Sequence, residues 1–283
     1  MAKLEYTTSN GQTIELYGAP FHLYFFEGDV EANIQMQKSP YQDGSTYIDT
    51  VLSERYIPIE LKIRAKDEKD LADKKRQLSS AFNPKLGLGL LRYQNTTDDV
   101  KEIYAVSENV PFYPDGPTNR GKTFQKALIS LIAPNPYWQD IYPTNIKLED
   151  FVANFSFPFS FPVSFSIRGD SKVLINNGHV PTPVEITFRG EAINPKVTKN
   201  STGEFIRINR PIPAEHSLVI TTGFNEKTVK IIDPYGNELN AMGYIDLNST
   251  FFSLDVGDNQ LSFITDGGNP DVFIEYKNLY LSV

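Results

Sequence analysis

The stretch R-Y-I-P-I-E-L-K-I-R, residues 55–64, places Ile57, Ile59, Leu61 and Ile63 on one face and Tyr56, Glu60, Lys62 and Arg64 on the other. Period-two alternation of this kind marks a strand with one face on a core and one in water, because successive side chains leave a pleated backbone on opposite sides. Pro58 falls on the polar face, and a residue with no N–H to give to a ladder predicts an edge or irregular position. Upstream, Leu4 and Tyr6 lead through Asn10-Gly11 to Ile14 and Leu16, a strong short-range hairpin signal. Downstream, one segment reads as helix, from about Asp67 to Phe82. Asp67 is its cap, Asp70 lies in the first turn, Leu71, Leu78 and Phe82 share a face, and Pro84 stops it.

Beyond Pro84 come Leu86, Leu88, Leu90, Leu91 and Tyr93, then two runs, Lys101–Val110 and Lys122–Ala133, that predict a long hairpin across a polar tip at 114–121. That arm ends at S-L-I-A-P-N-P-Y-W, residues 130–138, where Pro134 and Pro136 drive the chain out of the ladder ahead of the sole tryptophan. Tyr137 and Trp138, with Pro134 and Pro136, are expected to form a buried structural anchor where the first domain ends. Tyr142-Pro143-Thr144-Asn145 reads as a linker.

The second half opens with F-S-F-P-F-S-F-P-V-S-F-S-I, residues 155–167, apolar at every odd position and Ser or Pro at every even one. Its prolines predict an edge strand or extended arm. Short alternating runs follow at Val184–Phe188, Ile206–Ile208, Leu218–Ile220, Val229–Ile231, Phe252–Val256, Leu261–Phe263 and Val272–Tyr276, separated by turn sequences such as D-P-Y-G-N at 233–237. Many short strands with regular turns predict a β-sandwich. The chain of 283 residues therefore reads as mainly β and two domains, 1–145 and 146–283.

Composition narrows the function. The absence of cysteine removes disulfides, thiolate metal sites and thiol nucleophiles. A net charge of -8 is the wrong sign for a surface that grips phosphates. No apolar stretch has the ~20 residues a membrane helix needs, and the N-terminal M-A-K-L-E-Y has no signal-like core, so the chain is expected to fold where it is made. Residues 116–123, G-P-T-N-R-G-K-T, spell the phosphate-loop pattern, yet that loop needs a buried strand before it and a helix after it, and Pro111 and Pro114 argue against the strand. His22, His179 and His216 lie far apart with no ligand spacing. No catalytic, metal or cofactor constellation emerges, and the chain is not expected to be an enzyme.

The ordered set D-G-S-T-Y-I-D at 43–49, R-Y-I-P-I-E-L-K-I, L-A-D-K-K-R-Q-L followed by F-N-P-K at 82–85, L-L-R-Y and A-P-N-P-Y-W resembles the distal tail proteins of long-tailed, non-contractile phages of Gram-positive hosts. The F-x-F-P-F opening and the ending F-F-S-L-D-V-G-D-N-Q-L-S-F with V-F-I-E-Y-K resemble that family's C-terminal domain. The resemblance implies a ring-forming N-terminal β-sandwich with one helix and a long hairpin, and a galectin-like C-terminal sandwich. It implies a virion structural protein of the tail tip or baseplate, made in the host cytoplasm. Six copies would form a ring that joins the tail tube protein to the tail-tip hub protein, contacts a receptor-binding protein, and leaves a channel through which DNA passes unbound. Gly116, Arg120, Gly121 and Lys122, at the expected hairpin tip, are then candidates for a contact with a neighbouring copy. A receptor- or carbohydrate-binding module is the alternative, with Tyr235, Tyr244 or Phe224 in the place of the tryptophan on which a sugar ring usually stacks.

Overall fold

The computed structural model of the chain describes residues 3–26, 28–97, 99–148, 170–224 and 226–283. The expected strand at 155–167 lies outside them. The backbone separates into two compact units, Met1–Ile141 with Tyr280–Val283, and Tyr142–Leu279. Where a break near residue 145 is expected, the last four residues thus belong with the first unit.

The first unit holds β1 (Lys3–Thr7), β2 (Thr13–Glu15), β3 (Phe21–Phe26), β4 (Asp29–Gln37), β5 (Thr46–Arg64), helix α1 (Glu68–Ala81), β6 (Gly89–Gln94), β7 (Val100–Ser107), β8 (Phe124–Ala133) and β9 (Trp138–Asp140). Its strands run in the order β2-β1-β6-β7-β8-β5-β3, with β4 on β5 and β9 on β7. One strand turns this sheet over on itself: β7 pairs with β6 through Val100–Ala105, then with β8 through Val106 and Ser107. Leu4, Tyr6, Leu91 and Ile103 from one layer meet Ile57, Ile59, Leu61, Ile63, Ala127, Ile129 and Leu131 from the other in a single core. The alternating face of β5 is thus the floor of that core.

Helix α1 adds Leu71, Leu78, Ala81 and, at its end, Phe82. It starts at Asp67 because the Asp67 carboxylate accepts the Asp70 N–H at 2.8 Å, while Asp70 accepts the Lys66 N–H at 2.9 Å. Phe82 stacks on Tyr6, centroids 4.7 Å apart. That ring also explains Gly89, since a Cβ there would lie 2.5 Å from the Tyr6 hydroxyl oxygen and 2.7 Å from the Thr7 carbonyl.

Two expectations are met only in irregular form, for identifiable reasons. Pro58 takes the irregular position of the two expected, not an edge: β5 pairs with β8 through ten residues, and Pro58, opposite Ser130, sits between the Phe26–Ile59 and Asp29–Tyr56 pairs, where β3 hands over to β4. Lys101–Val110 and Lys122–Ala133 run antiparallel, but as an irregular hairpin. β7 and β8 share two residue pairs, and beyond them the return keeps isolated bridges, Phe112–Leu128 and Arg120–Gln125, because β6 and β9 occupy β7 and Pro111 and Pro114 interrupt it. The long arm is β4 against Thr46–Tyr56 of β5.

The second unit comprises β10 (Thr144–Leu148), β11 (Asp170–Asn176), β12 (Glu185–Arg189), β13 (Ala192–Ile193), β14 (Lys196–Lys199), β15 (Phe205–Arg207), β16 (Ser217–Thr221), β17 (Thr228–Ile232), β18 (Glu238–Asn240), β19 (Gly257–Ile264), β20 (Gly267–Gly268) and β21 (Asp271–Tyr276), and the chain then returns to the first unit with β22 (Leu279–Tyr280), which pairs with β9. A six-stranded sheet, β10-β21-β12-β16-β17-β18, faces a four-stranded one, β11-β19-β14-β15, across a core that includes Ile186, Phe188, Leu218, Ile220 and Ile274 from the first and Leu174, Val197, Ile206 and Leu261 from the second. The chain is mainly β throughout, and this unit is a sandwich. The stretch read as a linker opens β10, which pairs with β21 through five residues. Phe252–Val256, read as a strand, is irregular: Phe252 and Leu254 are buried, but Leu254 makes only an isolated bridge, to Thr182.

On the six-stranded sheet, Glu185 of β12 stands opposite Glu275 of β21. Partial burial and the facing carboxylate push the Glu185 carboxyl above its ordinary range, with Lys230 partly offsetting them. In the window just above the ordinary carboxylate value the folded state binds the extra proton, so this group's contribution weakens as pH rises through its raised pKa. Glu185→Gln is expected to raise the melting temperature at pH 7 and to flatten its change between pH 5 and 7. A variant that melts lower at pH 7 would contradict this account.

Candidate assembly interface

Of the four residues expected to anchor the end of the first unit, Trp138 is the buried one. Its side chain is 1% exposed. Phe26 meets it edge-on at 6.1 Å and Tyr93 at 6.5 Å, while Phe26 and Tyr93 stack at 5.2 Å. Pro136 and Tyr137 are half-buried and Pro134 is exposed. The residue that ties this corner together is Arg55, the first of the opening stretch. Buried at 3% exposure, it donates from Nε to the Pro136 carbonyl (2.7 Å), from Nη1 to Gly28 (2.8 Å) and from Nη2 to Leu281 (2.5 Å). Burial pulls its pKa down and Asp29 pulls it partly back. Next to it, Lys101 bonds Asp140 at 2.9 Å and lies 4.3 Å over the Tyr280 ring. Sequence reasoning missed Arg55 because its partners lie 27, 81 and 226 residues away.

Gly116, Arg120, Gly121 and Lys122 lie in a compact turn at the reversal of the chain before β8, where Arg120 bridges Gln125 and the Gly121 N–H donates to the Phe124 carbonyl. Gly116, at φ 105°, gives its carbonyl to the Asn119 and Arg120 N–H groups; Arg120 pairs with Asp115 at 3.2 Å. Buried Gln125 donates to the Pro114 carbonyl at 2.8 Å and fixes the turn from below. Phe124 begins a strand directly after Lys122-Thr123, so the helix that a phosphate loop requires does not follow. The turn and α1 enclose an open groove of about 580 Å³.

The first unit also carries the β4–β5 arm, with several apolar side chains exposed. Opposed residues in an antiparallel ladder share a face, which sets Ala32 and Leu52, Ile34 and Thr50, and Met36 and Tyr47 on one side, with Asn33 and Val51, Gln35 and Asp49, and Gln37 and Thr46 on the other. Ile34, Met36 and Tyr47 are more than half exposed. A two-stranded ribbon with an apolar face in water is marginal alone and stable when covered.

In the second unit, Tyr235 and Phe224 are exposed and Tyr244 lies under Arg210 at 4.3 Å. A cavity of about 290 Å³ nearby includes Arg210, His216, Asp233 and Glu238. Asp233 already accepts from the Tyr235 and Asn237 N–H groups and from the Asn237 amide, bonds that hold its carboxyl below the usual range, and Glu238 pairs with Lys230. Among the described residues, no three His, Asp or Glu side chains converge as a metal site, and no helix is long and apolar enough to cross a membrane.

Comparison with known proteins matches residues 177–280 to a siphovirus-type tail component, C-terminal domain, and residues 9–133 to a phage tail protein RIFT-related domain. The chain belongs to the siphovirus-type tail component family. Its fold is similar to that of the SPP1 Dit protein, whose crystal structure is described as a paradigm of the hub adsorption apparatus in phages infecting Gram-positive bacteria, with a TM-score of 0.71 at 12% identity, covering 98% of this chain and 99% of that one. It is also similar to a chain of the phage p2 baseplate in its activated conformation with strontium, with a TM-score of 0.57 at 9% identity over the full length of both. No curated protein sequence matches. This phage tail component thus shares its fold with the SPP1 Dit protein and with a chain of the phage p2 baseplate.

Proposed function

We propose that this chain is a structural, non-enzymatic component of the distal tail or baseplate hub that assembles head-to-tail into a closed ring of six. The observation that carries the reading is the β4–β5 arm, with Ile34, Met36 and Tyr47 presented on one uncovered face. The first unit, with its helix, builds the ring, and the second, read as a galectin-like sandwich, extends from it toward a receptor-binding protein. The tail tube protein docks on one face of the ring and the tail-tip hub protein on the other, which places the chain at the virion tail tip after synthesis in the host cytoplasm. A charge of -8 on each copy suits a channel through which DNA passes without adhering.

Native mass spectrometry of the full chain tests this, with a hexamer expected. Replacing Ile34 and Met36 together by Asp is expected to give monomers with an unchanged melting temperature, because neither side chain contributes to the core. Monomer alone at every concentration of the unaltered chain, and failure to enter tails, would overturn the reading.

A further inference from the structure

The β4–β5 arm ends in S-P-Y-Q-D-G, residues 39–44, and Tyr41 in that turn is fully exposed at a backbone φ of 63°. A bulky residue rarely adopts the left-handed region, and such outliers persist where the surrounding structure holds them in place. Here the turn does so. The Ser39 N–H donates to the Gln42 side chain at 3.0 Å, the Gln42 N–H donates to the Ser39 carbonyl at 3.2 Å, and the Gln42 amide reaches Thr46 at 3.2 Å. The backbone of the turn is thereby fixed, with the Tyr41 ring left wholly in solvent at its tip.

At the other end of the same strand lies a matching hole. β5 starts at Thr46, next to the arm tip, and finishes at Arg64, whose neighbour Ala65 donates to the carbonyl of Thr123. At ~3.3 Å per residue its nineteen residues reach roughly 60 Å. The groove between α1 and the 115–122 turn is adjacent to that far end. Leu71, Ala72 and Pro117 supply its apolar surface, and Lys75, Arg120 and Lys122 supply cations. These outnumber the groove's two carboxylates, Glu68 and Asp115, and Asp115 is already paired with Arg120. Lys75 lies 4.4 Å over the Tyr113 ring, so this wall already pairs a cation with an aromatic face. Asp43, two residues beyond Tyr41, brings the complementary charge.

We propose that Tyr41 at the arm tip of one copy inserts into the groove between α1 and the Gly116–Lys122 turn of the next copy. A knob and a hole at opposite ends of one strand cannot meet within a chain. Between copies they pair either reciprocally in a closed two-fold dimer or head to tail, and the ring reading selects the head-to-tail interface, the type that closes into rings. The proposal rests on the ring reading above and adds which surface receives the arm.

The absence of cysteine allows a direct test on the full chain. Ser39→Cys and Pro117→Cys, introduced together, keep Tyr41 and set one thiol at the tip and one at the groove. A short bis-maleimide is expected to yield a ladder of covalent oligomers on denaturing gels, absent from each single variant and from Ser39→Cys combined with Ser201→Cys in the second unit. Tyr41→Ala is expected to raise the assembly midpoint about tenfold at an unchanged melting temperature. Oligomers in native mass spectra without the 39–117 ladder would overturn the docking and leave the ring reading standing. Monomers alone from the unaltered chain would overturn both.

Discussion

Arg55→Met should lower the stability of the first unit by about 3 kcal/mol or more, a fall in melting temperature of roughly 10 °C for a domain of this size. Three hydrogen bonds from a charged donor are lost together, and the carbonyls of Gly28, Pro136 and Leu281 are left without that donor in a partly buried corner. Leaving such acceptors unmade costs more than the bonds themselves contribute. Arg55→Lys should recover little, because one ammonium cannot reproduce a planar fork that spans three separate segments. The effect should be flat between pH 5 and 9. Burial lowers the Arg55 pKa, but a guanidinium starts so far above this range that it stays charged throughout. Calorimetry checks the magnitude, and proteolysis checks the location: residues 280–283 should be trimmed faster in the variant. A melting temperature within 2 °C of the unaltered chain would show that the clip is not a stabilising element.

The parts of this fold that were legible in the sequence are those whose partners are near or whose environment is one-sided. β5 was readable because its inner residues all meet one core, α1 because Asp67 and Asp70 cap it locally, and the first hairpin because Asn10-Gly11 permits its turn, with Gly11 at φ 85°. What escaped was long-range or unpartnered. Arg55 gives no local signal, since three carbonyls far off in the chain define its role. The arm did carry a signal: Val30, Ala32, Ile34 and Met36 alternate with Glu31, Asn33 and Gln35 ahead of a Ser-Pro-Tyr turn. That signal is weaker than the alternation at 101–133, where prolines and competing strand partners forbid a regular hairpin. In the second unit, burial at Phe252 and Leu254 imitated a strand, since alternation reports which side chains point inward and not whether the backbone has a ladder to join.

Trp138→Ala should cost the first unit about 3–5 kcal/mol, the range for removing a fully buried large aromatic side chain. The cavity would open beside the Phe26–Tyr93 pair, whose own stacking holds the two rings in place and limits collapse. Trp138→Phe, which keeps an aromatic body there, should cost less. Because the chain has one indole, its fluorescence reports the site directly: blue-shifted emission and weak iodide quenching are expected, and emission like that of tryptophan in water would remove the anchor from consideration. The two large effects should also be coupled. Arg55 holds the Pro136 carbonyl two residues ahead of Trp138, and Gly28 two residues past Phe26, so both sides of the aromatic cluster hang from one guanidinium. A double-mutant cycle on Arg55→Met and Trp138→Ala should therefore depart from additivity by about 0.5–3 kcal/mol, the double variant losing less than the sum of the single ones. Strict additivity would mean that the clip and the tryptophan stabilise the corner independently.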